Sequence, residues 1–173
     1  MQAEQAVDLD PLPDLVVIQI MDNDMVCPAK DSDYAGFRTT FEEALAILTE
    51  GAPDADIFVV SQFGSPSNIE KVLPTQTERK QIGGTGPCAF VSPDGEIVPK
   101  ELKRLEDIIH GYEAQLEAGC DRFERCHYDG GAFGRIVDRR SYVSSDLNHF
   151  SIEGHGKAAA VAWAGLRRAG IVP

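Results

Sequence analysis

Two stretches of the chain are apolar and β-branched almost without a break. Residues 14–20, following Pro11 and Pro13, read Asp-Leu-Val-Val-Ile-Gln-Ile, and residues 55–61 read Ala-Asp-Ile-Phe-Val-Val-Ser. A strand covered on one face alternates apolar and polar positions, whereas a strand buried on both faces is apolar throughout. Both runs are therefore predicted strands, and the first is expected in mid-sheet. Between them Phe37, Phe41, Ala44, Leu45 and Leu48 recur at helical spacing within residues 34–50, with Gly51 and Pro53 closing the segment. Strand, crossover helix and strand make a unit whose two strands must run parallel. Leu102, Leu105, Ile108, Ile109, Tyr112 and Leu116 mark a second amphipathic helix that ends near Gly119. Residues 125–129 predict a short third strand before a Gly130-Gly131 turn, and residues 152–168 a last helix with Ala158 to Ala160, Val161, Trp163 and Leu166 facing inward.

Residues 62–99 contain Gly, Pro and Ser throughout and are too long for a plain connector; they predict an excursion hung over one end of the sheet. Strand and helix alternate three times, which gives an α/β class with a parallel sheet and helices on its faces, as one domain over residues 1–173. In such folds functional groups gather in loops at the carboxyl ends of the strands.

Composition narrows the partners. The 173 residues are 43% hydrophobic and 25% charged, enough for one core. Sixteen Lys and Arg against 28 Asp and Glu set a formal charge of -12, which repels phosphate backbones and anionic head groups, so no nucleic-acid partner is expected and uncharged substrates are favoured. No run approaches the roughly 18 apolar residues of a membrane span, and the polar opening Met1-Gln2-Ala3-Glu4-Gln5 has no export signal. Cys27, Cys88, Cys120 and Cys126 follow no zinc spacing and read as two disulfides; of three possible connectivities, one closes a small loop between Cys120 and Cys126 and leaves Cys27 with Cys88. Disulfides without an export signal hint at a start further upstream.

Two clusters carry candidate chemistry. Met21-Asp22-Asn23-Asp24 follows the first strand, where an Asn amide can donate to the oxygen of a developing oxyanion, although Asn and Asp also serve any turn. Asp146-Leu147-Asn148-His149 precedes the last helix; a carboxylate three residues before an imidazole can hold its tautomer and stabilise its protonated form. Ser61, Ser65 and Ser67 sit near the second strand's carboxyl end but lack a Gly-x-Ser-x-Gly elbow, so they are expected to line the cleft or turn the chain. His110, His127 and His155 have no paired-ligand spacing, and Gly83-Gly84-Thr85-Gly86 lacks the Lys-Ser/Thr of a phosphate loop.

In this order and at these positions, the clusters resemble one family. PDLVVIQIMDND (residues 13–24) resembles the third conserved block of SGNH (GDSL) hydrolases, and SSDLNHFSIEGHGKAAAVAW (residues 144–163) their last. FGSPSN, GTGPC and CHYDGGAF are similar to a secreted actinobacterial branch of that family. The resemblance implies a flavodoxin-like three-layer fold and hydrolysis of carboxylic esters through a Ser nucleophile. It also implies a small ester substrate, lipid or acylated carbohydrate among the options, no metal or organic cofactor, and an extracellular full-length protein. By motif match Asn23 is an oxyanion donor, His149 the general base and Asp146 its orienting acid.

Two departures qualify the match. Met21 stands where the third block has Gly, and the Gly-Asp-Ser block and second-block Gly are missing from these residues. The expectation is a truncated body that lacks its first strands and is inert by itself. Its bare edge along residues 14–20 would then drive self-association. The alternative is a non-catalytic binding module that pairs through that edge with a partner chain.

Overall fold

A computed structural model describes residues 2–173. Three parallel strands, β1 (Leu15–Ile18), β2 (Asp56–Val59) and β3 (Cys126–Tyr128), form one sheet in the order β1-β2-β3. Leu15 pairs with Asp56 and Ile18 with Val59, while Ile57 pairs with Cys126 and Val59 with Tyr128. Ahead of β1 stands α1 (Gln2–Val7), and α2 (Asp31–Gly51) connects β1 to β2. The short helical turns α3 (Ile69–Val72) and α4 (Gln76–Arg79) precede α5 (Pro99–Cys120), which leads to β3, and α6 (Ile152–Arg168) closes the chain.

β2 divides the interior. Ile57 and Val59 pack with Phe41, Leu45 and Leu48 of α2 and with Leu105, Ile108, Tyr112 and Leu116 of α5. The intervening Phe58, and Val60 just beyond the strand, pack on the opposite face with Phe133, Ile136, Val143, Ala158 and Leu166. The period-two alternation of a strand thus places α2 and α5 on one face of the sheet and α6 on the other. Gly165 lets α6 close on the sheet, since a Cβ there would lie 2.5 Å from Cζ of Phe58.

Two expectations require correction. The apolar run at residues 14–20 is not in mid-sheet: among the described residues β1 has one strand neighbour, and Val17 is 54% exposed, which is the bare edge expected of a chain that lacks its first strands. The composition is that of a strand covered on two sides, but β2 occupies only one of its edges. Trp163 faces solvent, being 53% exposed, and Ala159 and Ala160 are exposed too. The inward stripe of α6 runs through Gly154, Ala158, Gly165 and Leu166; Trp163, five residues past Ala158, lies about 140° around the helix from it. Residues 2–7, for which the pattern predicts no element, form α1, because Ala3, Ala6 and Val7 pack onto the first core and Val7 reaches Gly51, where a Cβ would be 2.5 Å from it.

The excursion between β2 and α5 is built of tight turns. Thr75 and Glu78 cap each other at the start of α4, with the Thr75 N–H 2.9 Å from a Glu78 carboxylate oxygen. Arg79 donates to the carbonyls of Leu73, Pro74 and Gly95, stitching the turns together. Cys27–Cys88 ties the loop after β1 to this excursion, and Cys120–Cys126 ties the end of α5 to β3; each pair has its Cα atoms 5.2 Å apart. Among the described residues no helix is long and apolar enough to cross a membrane.

At the carboxyl ends of β2 and β3 lies a buried polar knot. Ser61, with no exposed surface, donates to a carboxylate oxygen of Asp129 at 3.0 Å and accepts from the Phe133 N–H at 3.0 Å. Asp129 also accepts from the N–H groups of Gly131 and Phe133. Ser61→Ala removes a donor from a buried carboxylate and should cost about 2 kcal/mol, given roughly 1.5–3 kcal/mol for hydrogen bonds to charged groups. Chemical denaturation should show a lowered midpoint with an unchanged slope.

Candidate active site

Residues 143–150 form a compact turn that presents Asp146 and His149 together. Val143 and Phe150 pair as an antiparallel bridge, and the Ser144 N–H donates to the His149 carbonyl at 2.9 Å. Leu147 takes a left-handed conformation, φ 61°, which reverses the chain between the two candidate residues. Immediately beyond, Ser151 caps α6 by accepting from the Gly154 N–H at 3.0 Å, while its own N–H donates to Tyr142. Gly154 is needed for that approach, since a Cβ there would meet the Tyr142 carbonyl oxygen at 2.1 Å. The turn is in this way fastened to a long helix.

Asp146 is the hub. One carboxylate oxygen accepts from the Ser144 hydroxyl and from the N–H groups of Asn148, at 2.9 Å, and His149, at 3.1 Å. The other lies 2.7 Å from Nδ1 of His149. These hydrogen bonds, the Ser144 hydroxyl first among them, hold the Asp146 carboxyl far below the usual carboxylate range. A carboxylate so held accepts a hydrogen bond from the Nδ1–H group, which leaves Nε2 as the nitrogen with a free lone pair. Both side chains are solvent-exposed, His149 at 72%.

The second cluster faces the same cleft. Asp22, Asn23, Gln62, Ser65, Asn148 and His149 are among the residues lining a cavity of about 560 Å³ at the carboxyl ends of β1 and β2. The loop that carries Asn23 turns on the Met21 carbonyl, which accepts from the N–H groups of Asp24 and Met25 at 2.9 and 3.1 Å. Tyr112 of α5 pins it by donating to the Asp24 carbonyl at 2.9 Å. Met21 adopts φ 117°, a backbone conformation suited to glycine, while its side chain is fully buried in the first core. That geometry explains why a Gly fits this position, and shows that Met21 exchanges backbone ease for core packing.

The sequence reading missed Gln62 and Ser144. Gln62 donates to the Asp22 carboxylate, and its other amide atom, Oε1, is buried with no hydrogen-bond partner among the described residues. Loss of hydration pushes the Asp22 carboxyl up, and the Gln62 hydrogen bond offsets part of this. The available signal was position, because Gln62 lies just beyond the carboxyl end of a central strand. Ser144 carried no signal beyond its proximity to Asp146.

The serines weighed as nucleophiles separate clearly. Ser61 is buried in the Asp129 knot, whereas Ser65 lines the cleft with its hydroxyl 2.7 Å from that of Ser67. Among the described residues no serine hydroxyl is hydrogen-bonded to the His149 ring. His110 and His155 are exposed, the latter edge-on to Phe150, and His127 lies 3.9 Å from Asp56. Cys27 and Cys88 come together with Glu101, but their sulfurs are bonded to each other and are not thiolate ligands.

Because Ser144 contributes most to the state of Asp146, Ser144→Ala should raise the Asp146 titration midpoint toward the ordinary value of 3.8. In the unaltered chain, carbon-detected NMR should find this carboxyl still ionised at the pH where an ordinary aspartate is half protonated. A depressed acid stabilises the turn above its unfolded pKa and loses that contribution as pH falls through its folded one, so the turn should loosen only in strong acid. Compared with protein-family models, with curated proteins and with solved structures, the chain matches none.

Proposed function

We propose that this chain is the body of a carboxylic ester hydrolase of the SGNH type, working by a Ser-His-Asp mechanism in a flavodoxin-like fold. The observation that carries this reading is the Asp146–His149 pair, 2.7 Å apart, on the rim of a cleft that Asn23 also lines. In the proposed cycle Asp146 holds the His149 ring, and Nε2 takes the proton of a serine hydroxyl as it attacks the ester carbonyl. The Asn23 amide donates to the resulting oxyanion, and His149 then returns the proton to the leaving alcohol. Water repeats the sequence on the acyl-enzyme.

The nucleophile has a natural place. The free edge of β1 accepts a further parallel strand, whose carboxyl end would lie beside Met21 to Asn23 and open onto the cleft. A serine on the turn after such a strand would meet His149 across it. The two disulfides fit an extracellular setting. The same open edge, with Val17 exposed, favours a second reading in which the chain binds a partner strand without catalysis.

Hydrolysis of a short-chain aryl ester separates the two. It should be assayed with the chain alone and with the chain extended upstream in frame, each with His149→Ala, Asp146→Asn and Asn23→Ala. Activity is expected in the extended form, falling roughly 10⁴-fold with Asp146→Asn and roughly 10⁶-fold with His149→Ala, and roughly 10²- to 10³-fold with Asn23→Ala. Activity of the unextended chain that depends on His149 would place the nucleophile within these residues. Inactivity of both forms, or activity that survives His149→Ala, would remove the proposed mechanism.

A further inference from the structure

The cleft's walls and rim differ in chemistry. Of its polar lining residues, Asp22, Asn23, Thr85, Asn148 and His149 are exposed and Gln62 and Ser65 half-buried, whereas Val72, Leu73, Leu105 and Ile109 are buried, with Ile69, Ile82 and Phe90 half-buried among them. The polar groups that could meet a reacting ester thus stand mostly at the mouth, and apart from Gln62 and Ser65 the less exposed lining is made of apolar side chains from both cores and from the excursion. Among the described residues no Lys or Arg lines the cleft, and its ionisable residues are Asp22 and His149.

This arrangement selects among ester substrates. An anionic chain would find no Lys or Arg counter-charge, and a sugar would leave most of its hydroxyl groups against apolar walls, since Gln62 and Ser65 are too few to receive them all. Size adds a second constraint. An acetyl group has three heavy atoms, each roughly the size of a water molecule at about 30 Å³, and would fill less than about a fifth of the space. The volume of about 560 Å³ lies within the range of roughly 300–1,000 Å³ typical of pockets that enclose drug-sized ligands. We propose that the cleft binds the uncharged, straight acyl chain of a lipid-like ester, with the ester group at Asn23 and His149 and the chain running inward past Ile82 and Phe90. The inference rests on the ester-hydrolase reading for the identity of the head group, but the apolar selectivity is a binding property that can be measured without turnover.

Neutral, non-hydrolysable methyl ketones from 2-butanone to 2-decanone provide the probe, titrated into the 173-residue chain and followed by NMR chemical shifts. The dissociation constant should fall about four-fold per added methylene until the cleft is filled. The shifts should map to Val72, Ile82 and Phe90. Ile82→Trp, which narrows the interior, should shorten the chain length at which affinity stops rising. Thr85→Trp, at an exposed lining position, gives the same test if the first variant does not fold as judged by circular dichroism. Equal affinities for 2-butanone and 2-decanone, shifts away from the cleft, or a limit unmoved in a folded Trp variant would overturn the proposal. Chain-length-dependent binding without esterase activity in any form would keep the acyl cleft and remove the hydrolase. Turnover indifferent to acyl length would do the reverse.

Discussion

Burial of β2 on both faces is the constraint from which the rest of the molecule follows. A four-residue strand whose alternate side chains must leave water on opposite sides requires two separate apolar covers, and the chain provides them as α2 with α5 and as the 133–143 segment with α6. The two crossovers, β1 to β2 and β2 to β3, step the same way across the sheet with their helices on the same face, as a constant crossover hand demands. α6 is then left for the opposite face. Gly165 against Phe58 shows how close that second cover lies.

The cleft is a consequence of that division. It opens where the two cores part at the carboxyl ends of β1 and β2, and it takes wall residues from each of them. The excursion between β2 and α5 supplies the remaining wall, and Cys27–Cys88 holds it against the Asn23 loop. A disulfide between segments 61 residues apart removes conformations from the unfolded chain that would separate those two walls. The buried Ser61–Asp129 knot does similar work from below, fixing the strand ends that Gln62 and Phe63 extend into the cleft.

Within the candidate site, the Asp146–His149 pair and its surroundings have different origins. Asp146 meets its partners within three residues on either side, so the geometry of the pair is a local property of an Asp-x-x-His turn ahead of a capped helix. Asn23 is 126 residues from His149 in the chain, and their common cleft depends on the parallel pairing of β1 with β2 and on the last helix covering the second face. The structure thus joins a local device to a distant one, with β1, which leads into the Asn23 loop, at the edge of the sheet.

Much of this was legible from residue order alone: three strands, three long helices, the parallel sense, and the Asp146–His149 spacing. Each depends on periodicity or on contacts a few residues apart, which sequence displays directly. The exposure of Trp163, the formation of α1, the buried role of Ser61 and the placement of Gln62 were not legible, because each is decided by what a side chain meets from a remote part of the chain, and the bare edge of β1 was expected from the missing family blocks and not from the apolar run itself. An apolar run states that a strand should be covered, but not which of its edges finds a neighbour. Tertiary structure alone decided that, since burial is a property of the assembled surfaces and not of any one segment.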